Sequence, residues 1–213
     1  MMSINIQKIF KENENVLLAN NIVDAWNKVI KENRSGRNYW LMNLSQEIEI
    51  RYSPNLLQRF LKQKEWFLVF DPGFSLKDMF LILGMNREKE LYFHSDFWRF
   101  PEKKHSWMNK RVSPEYYLIR MAPLYSNKNW QQQEEKIGKK FKRPSTRLFL
   151  SLAISRFLLT GECPQKGCHW GPEKEGFSRS VSYIAQNKIF LFNWSEEWGT
   201  KDIGVNLICD FDL

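Results

Sequence analysis

The stretch STRLFLSLAISRFLLTGECPQKGCHWGP, residues 145–172, is the part of the chain around which the rest is arranged. Ser145 to Thr160 is mostly apolar, which predicts a helix covered on most sides by a sheet and by its neighbours. Arg147, Ser151 and Ser155 recur every four residues and form one narrow polar stripe on that helix. The sequence therefore predicts that this is the most deeply buried helix of the fold.

Residues 161–172 bring together two of the three cysteines, one of the three histidines, three glycines and two prolines. Because proline lacks a backbone donor and glycine favours positive φ, this composition predicts an ordered loop and not a strand. Gly161 is suited to cap the preceding helix at its C-terminus. The loop is thus expected to turn the chain into its final β region.

Beyond this loop, Ser180 to Ala185 and Ile189 to Trp194 flank a three-residue turn and predict a β-hairpin. Alternation from Val205 to Phe211 predicts a terminal strand with Cys209 on its inner face. Weaker signals precede the central stretch. Helices are predicted over Asn15–Asn33, after the cap Ser53-Pro54 and over Asn127–Phe141. A helix or a strand is predicted after the capping signal at Ser75. Strands are predicted over residues 48–51, 66–70, 90–100 and 116–121.

These signals together predict an α+β fold, with helices packed on a largely antiparallel sheet. The chain, residues 1–213, fits a single compact domain, and a helical N-terminal subdomain over residues 1–64 is an alternative. Its longest apolar run is shorter than the roughly 18 residues that span a bilayer. Because three cysteines also fit a reducing compartment, we expect a cytoplasmic protein that does not enter the membrane.

The net charge of +8 favours an anionic partner, either nucleic acid or an acidic protein. Two basic clusters are candidate nucleic-acid-binding residues. The first cluster surrounds Trp107, an aromatic side chain suited to stacking on a base. In the alternative interpretation, Trp107 belongs to the core and the lysines beside it form a solvated face. Part of the second cluster is also explained by a helix C-terminus, which attracts cations. The candidates are Lys103, Lys104, Trp107, Lys110 and Arg111 in the first cluster and Lys139, Lys140, Lys142 and Arg143 in the second.

Cys163, Cys168 and His169 carry the ligand atoms that zinc prefers, and a further cysteine or histidine would complete a tetrahedral site. Four residues separate the two cysteines, whereas a zinc knuckle has two between them. Two other interpretations therefore stay open, which are free cysteines in a turn and a local disulfide bond.

No phosphate-binding loop of the Walker or dinucleotide type occurs in the sequence, which argues against nucleotide-driven chemistry. The Glu and Lys pairs that a metal-dependent nuclease needs occur at Glu102 to Lys104 and Glu134 to Lys136, both in polar segments typical of a solvated surface. The sequence therefore predicts a non-enzymatic binding protein without a cofactor. A metal-dependent hydrolase such as a nuclease is the alternative.

The order of hydrophobic helix, cysteine-containing loop, hairpin, Trp-rich turn and final strand resembles the C-terminal part of certain bacterial proteins with a C-type-lectin-like tail. The likeness lies in Leu158 to Glu162, Ser180 to Trp194 and Gly204-Val205. It implies a compact mixed fold with a variable binding surface. The tripeptides Glu-Pro-Asn and Trp-Asn-Asp of calcium-dependent sugar-binding lectins are absent, so calcium-dependent sugar binding is not implied.

Overall fold

The computed structural model describes residues 13–32, 48–85, 91–94, 106–162, 168–175, 178–185, 188–199 and 201–209. Helices and strands alternate along these segments and form a mixed α and β architecture, so the predicted α+β class is confirmed. Within the same segments, no helix is long and apolar enough to cross a membrane.

The helices are α1 (Ala19–Glu32), α2 (Pro54–Leu61), α3 (Leu76–Leu83), α4 (Trp130–Ile137) and α5 (Thr146–Thr160), with a 3₁₀ helix at Ser106–Asn109. The strands are β1 (Val16–Leu17), β2 (Trp66–Asp71), β3 (Tyr92–Phe93), β4 (Glu115–Leu124), β5 (Phe141–Lys142), β6 (Cys168–Glu175), β7 (Ser178–Ala185), β8 (Lys188–Ser195) and β9 (Ile203–Cys209).

The described strands form one sheet in the order β1-β2-β4-β9-β6-β7-β8-β3, with β5 paired to β9. Parallel pairing joins β1 to β2, β3 to β8 and β6 to β9, and the other pairings are antiparallel, so the sheet is antiparallel in the majority, as predicted. Ile208 of β9 pairs with β4 on one side and with β5 on the other. The strand β6 pairs with the same side of β9 as β5, nearer the start of β9. The residues that follow β5 therefore start α5 close to β6.

Several helix ends follow the capping signals of the sequence. Ser53 accepts a hydrogen bond from the backbone of Leu56 at the start of α2, and Ser75 forms a reciprocal capping box with Asp78 at the start of α3. Gly161 ends α5 in the left-handed conformation, with φ 69°. These ends were predicted and are confirmed, because a cap depends only on neighbouring residues.

The polar stripe of α5 is buried together with its apolar faces. Ser151 and Arg147 both donate to the carboxylate of Asp71 at the end of β2, at 2.6 Å each. Ser155 accepts from the indole nitrogen of Trp26 in α1, at 3.0 Å. The stripe thus joins α5 to the sheet at one end and to α1 at the other, inside the main core, which is the cluster of buried side chains between the sheet and the helices.

The prediction of a loop over residues 161–172 is wrong for its second half, because β6 begins at Cys168 and pairs with β7 and β9. The register between β6 and β7 shifts between Trp170 and Lys174, so Gly171 and Pro172 lie in a bulge. A bulge needs no ladder hydrogen bond from its extra residues, and proline is therefore tolerated there. A Cβ atom on Gly171 would lie 1.9 Å from the hydroxyl of Thr146, so β6 runs directly against the start of α5.

Two further predictions need correction. The strand predicted over residues 48–51 is irregular chain, and Ile48 and Ile50 pack partly buried against the main core without a strand partner. The helix predicted over residues 127–141 is confined to α4, because Gly138 at φ 69° ends it. The chain then pairs with β9 as β5.

The sheet has an inner face toward α5 and an outer face on the opposite side. His169 and Trp170 show the alternation, since the His169 ring stacks on Phe149 of α5 at 4.6 Å while Trp170 points the other way. Trp170, Val181 and Ile203 form a small second core on the outer face. Among the described residues, α5 packs on the inner face, and the outer face of the β6, β7 and β8 region is partly apolar.

Candidate functional site

The outer face carries a row of aromatic side chains, which we call the aromatic ladder. It consists of His94, Tyr183, Phe190, Phe192, Trp194 and Trp198. The first three rings are stacked, with centroid distances of 4.7 Å from His94 to Phe190 and 4.3 Å from Phe190 to Tyr183. The remaining contacts are edge-to-face at 6.1–6.3 Å. The ladder is therefore continuous across the hairpin.

The two-residue period of the strands creates this row. Phe190, Phe192 and Trp194 alternate along β8 with Ile189 and Leu191, which are buried in the main core. Antiparallel pairing then sets Tyr183 opposite Phe190 and Arg179 opposite Trp194. The same register that buries the inner side chains therefore presents the ladder on the outer face.

Trp198 is the exposed end of the ladder, with 64% of its surface accessible. Its position is held by the backbone, because its N–H donates to Ser195 and its carbonyl accepts from the indole of Trp194. Gly199 lets the turn pack closely, since a Cβ atom there would lie 2.7 Å from the carbonyl carbon of Lys128. The exposed ring of Trp198 is therefore carried on a backbone that the turn holds in place.

Two arginines sandwich Trp130 at the border of the ladder. The guanidinium carbons of Arg143 and Arg179 lie 3.7 Å and 3.9 Å from the centre of the Trp130 ring. Burial lowers the pKa of Arg143 to about 10, which leaves it charged at neutral pH. The sandwich therefore fixes two positive charges beside the second core.

A cavity of about 620 Å³ opens next to this sandwich, and Trp130, Pro172 and Arg143 contribute to its wall. Lys139 and Lys142 also line it, so three of the four predicted residues of the second basic cluster come together there. The Arg143 side chain is only 4% exposed, and its Nη2 has no hydrogen-bond partner among the described atoms. Arg143 Nε donates to the carboxylate of Glu134 at 2.8 Å, so its charge is matched within the cavity wall. The other basic side chains of the lining are those of Lys139 and Lys142.

The remaining sequence candidates lie elsewhere. Lys140 lines a separate cavity of about 370 Å³ with Arg59 and Phe60. Lys103 and Lys104 fall outside the described residues. Trp107 is half-buried against the main core, as the alternative interpretation of the sequence had it, while Lys110 is exposed and Arg111 binds Asp78 in a bidentate pair at 2.6 and 2.7 Å.

The pair with Arg111 affects the pKa of the Asp78 carboxyl. Burial acts to raise the pKa of the Asp78 carboxyl, but hydrogen bonds from Arg111 and Ser75 outweigh burial and lower it. The charge of Arg111 is therefore already matched by a carboxylate. Of the described basic residues in the first cluster, Lys110 is exposed and Arg111 is paired.

Among the predicted zinc ligands, Cys163 lies outside the described residues. Burial raises the pKa of the Cys168 thiol to about 11, so it is protonated at neutral pH. His169 is fully buried, with its Nε2 2.9 Å from the carbonyl of Pro144 and its Nδ1 accepting from the backbone of Asn206 at 3.3 Å. No group of three potential metal ligands occurs in the described part of the chain. Zinc binding by these residues stays a prediction.

The buried His169 should make stability pH-dependent. Burial, and then the charge of Arg143, lowers its pKa from 6.5 to about 3 in the folded protein. The unfolded chain therefore binds more protons between these values, and this contribution to stability is complete above pH 6.5 and is lost as the pH falls toward 3. We expect the free energy of unfolding to decrease there by up to about 1.4 kcal/mol per pH unit from this residue alone.

Urea denaturation of the wild type and the His169→Gln variant at a series of pH values measures this contribution. The variant retains all other titrating groups, so its curve should be flatter between pH 6 and pH 4. Parallel curves for the two proteins would contradict the buried, neutral state of His169.

No protein-family profile, curated protein or solved structure matches the chain. The resemblance to a C-type-lectin-like tail therefore stays a prediction, and the ladder with its charged border is the feature of the structure that bears on function.

The sequence prediction missed the ladder although its signal was present. Phe190, Phe192 and Trp194 are spaced two residues apart in a segment correctly predicted as half of a hairpin. The alternating apolar residues between them had to face one side of the sheet, so the aromatics had to face the other. Trp198 carried no such signal, because its exposure depends on how the turn packs.

Proposed function

We propose that this protein binds single-stranded nucleic acid on the outer face of its sheet, as a non-enzymatic binding protein. The observation that carries the proposal is the exposed, anchored Trp198 at the end of a continuous aromatic ladder with arginine and lysine at its border. Proteins that bind single strands combine aromatic platforms for the bases with basic side chains that follow the backbone.

The ladder suits unpaired bases better than a duplex. The ring of Trp198 is the part of the ladder with enough exposed surface to stack on a base. Tyr183 and Phe190 stack on each other, so they offer mainly their edges to neighbouring bases. In a duplex the base faces are covered by their neighbours, and an aromatic surface of this kind would not reach them.

Basic side chains at the border of the ladder support the proposal. Lys174 and Arg179 border the ladder near Trp198. Lys139 and Lys142 line the neighbouring cavity, where Arg143 itself is buried and paired with Glu134. The net charge of +8 adds long-range attraction for a polyanion. Lys139 and Lys142 of the second basic cluster thus support this location, whereas the buried Arg143 and the core-packed Trp107 do not.

Fluorescence anisotropy with a labelled single-stranded oligonucleotide of about 15 nucleotides tests the proposal. We expect saturable binding that is tighter than binding to the matching duplex. Affinity should fall as salt rises from about 50 to 300 mM, by about 0.7 log units per log unit of salt for each phosphate contacted.

Absence of saturable binding at low salt, or affinity independent of salt, would overturn the proposal. Binding of acidic peptides but not of oligonucleotides would indicate the other anionic partner. Magnesium-dependent shortening of the oligonucleotide would favour a nuclease over a binding protein.

A further inference from the structure

One carboxylate lies on the two cations nearest to the exposed end of the ladder. Lys174 donates to Glu196 Oε1 at 2.7 Å, and Arg179 donates to Glu196 Oε2 at 2.9 Å. Each oxygen of the carboxylate thus has its own cationic donor. The hydrogen bonds from Lys174 and Arg179 lower the pKa of the Glu196 carboxyl, so it is an anion at neutral pH.

The guanidinium of Arg179 is held independently of this carboxylate, and the backbone of Lys174 is fixed beside it. Arg179 stacks on Trp130 and also donates from Nη1 to the carbonyl of Pro172 at 2.7 Å. Lys174 follows the bulge of β6 and pairs in register with Arg179. Removing the carboxylate would therefore leave Arg179 in place, with its Nε facing the vacated position.

A phosphodiester matches this arrangement chemically. Its two non-bridging oxygens share one negative charge and accept charge-assisted hydrogen bonds from the same donors as a carboxylate. Glu196 precedes Trp198 by two residues, and Arg179 lies opposite Trp194 on the neighbouring strand. The side chain of Glu196 is 23% exposed, so solvent and ligands reach it.

We propose that Lys174 and Arg179 form a phosphate-binding site that Glu196 occupies in the free protein and vacates when a ligand phosphate binds. That the phosphate belongs to a nucleic-acid strand rests on the proposed function. In this arrangement Glu196 is an internal competitor, which weakens non-specific binding of anions until stacking on Trp198 adds to the affinity.

The matched pair of variants Glu196→Gln and Glu197→Gln tests the site. Both remove one negative charge from adjacent positions, but Glu197 is exposed and only Glu196 bridges the two cations. We expect Glu196→Gln to bind the single-stranded oligonucleotide about 5- to 30-fold more tightly than the wild type, with a salt dependence steeper by about 0.7 for the added phosphate contact. Glu197→Gln should change affinity by less than about threefold.

Calorimetry with inorganic tripolyphosphate separates this inference from the proposed function. If Glu196→Gln binds tripolyphosphate more tightly than Glu197→Gln does, and no form binds the oligonucleotide, the phosphate site is supported and the nucleic-acid proposal is overturned. If the wild type binds the oligonucleotide and the two variants bind it with equal affinity, the phosphate site is overturned and the proposed function is supported. A weaker Glu196→Gln complex with both ligands would show that Glu196 is only a structural partner of the cations.

Discussion

Replacement of Arg147 by methionine is expected to lower the free energy of unfolding by about 3–5 kcal/mol, the largest effect on stability that we predict. The guanidinium of Arg147 contacts the Asp71 carboxylate at 2.6 Å and the Phe74 carbonyl at 3.0 Å, and both charged side chains are almost fully buried. Methionine fills a similar volume, so the cost arises because Asp71 loses its counter-ion in a place that water does not reach.

A second substitution identifies the charge as the cause. Asp71→Asn retains an oxygen that can accept from Gly73 and Ser151, but it removes the negative charge. Added to Arg147→Met, it should restore about 1–3 kcal/mol relative to the single variant. Chemical denaturation of the four proteins measures this coupling. A loss below about 1 kcal/mol for Arg147→Met, or no recovery in the double variant, would contradict the interpretation.

The largest expected effect on binding comes from Trp198. Stacking of one base on an aromatic side chain is worth about 1–3 kcal/mol, so Trp198→Ala should weaken single-strand binding by about 5- to 150-fold. Because Trp198 is 64% exposed, its side chain contributes little to the core, and the variant should unfold at nearly the wild-type denaturant concentration. Anisotropy titrations and urea denaturation measure the two properties on the same samples.

Two further variants at this position distinguish stacking from apolar contact. Trp198→Phe keeps an aromatic face and should retain most of the affinity, whereas Trp198→Leu keeps apolar surface without a π system and should resemble Trp198→Ala. Equal affinities for all the variants and the wild type would exclude Trp198 from the binding surface. The salt dependence should stay unchanged in each, because none of these substitutions removes a cation.

The elements that the sequence predicted well depend on local chemistry. The Ser75 cap with Asp78, the cap at Gly161 and the hairpin of β7 and β8 each follow from residues close together in the chain. The strand predicted over residues 48–51 had the correct alternation but has no partner strand there. Alternation alone shows which side chains prefer burial and does not show whether a neighbouring strand is available.

The candidate site was predicted only in part. Lys139, Lys142 and Arg143 do line one cavity, since they are adjacent in the chain. Their connection to Trp130, Arg179 and the ladder joins β5, α4 and β7, which no local pattern relates. At Trp107 the sequence left two interpretations open, because an aromatic among lysines is as compatible with packing on the core as with stacking on a base. In the structure Trp107 packs against the main core.

By itself, the sequence determined that α5 is buried and where it ends, that a hairpin follows, and that the protein carries a large excess of positive charge. Only the tertiary structure decided that residues 168–175 form a bulged strand, because a proline in a strand is acceptable only where the partner strand skips a hydrogen bond. It also decided that Arg147, in the polar stripe of α5, faces Asp71. In the same way it decided that Glu196 accepts hydrogen bonds from Lys174 and Arg179. Side chains far apart in the chain meet through strand order and register, and these are set by the packing of the whole core.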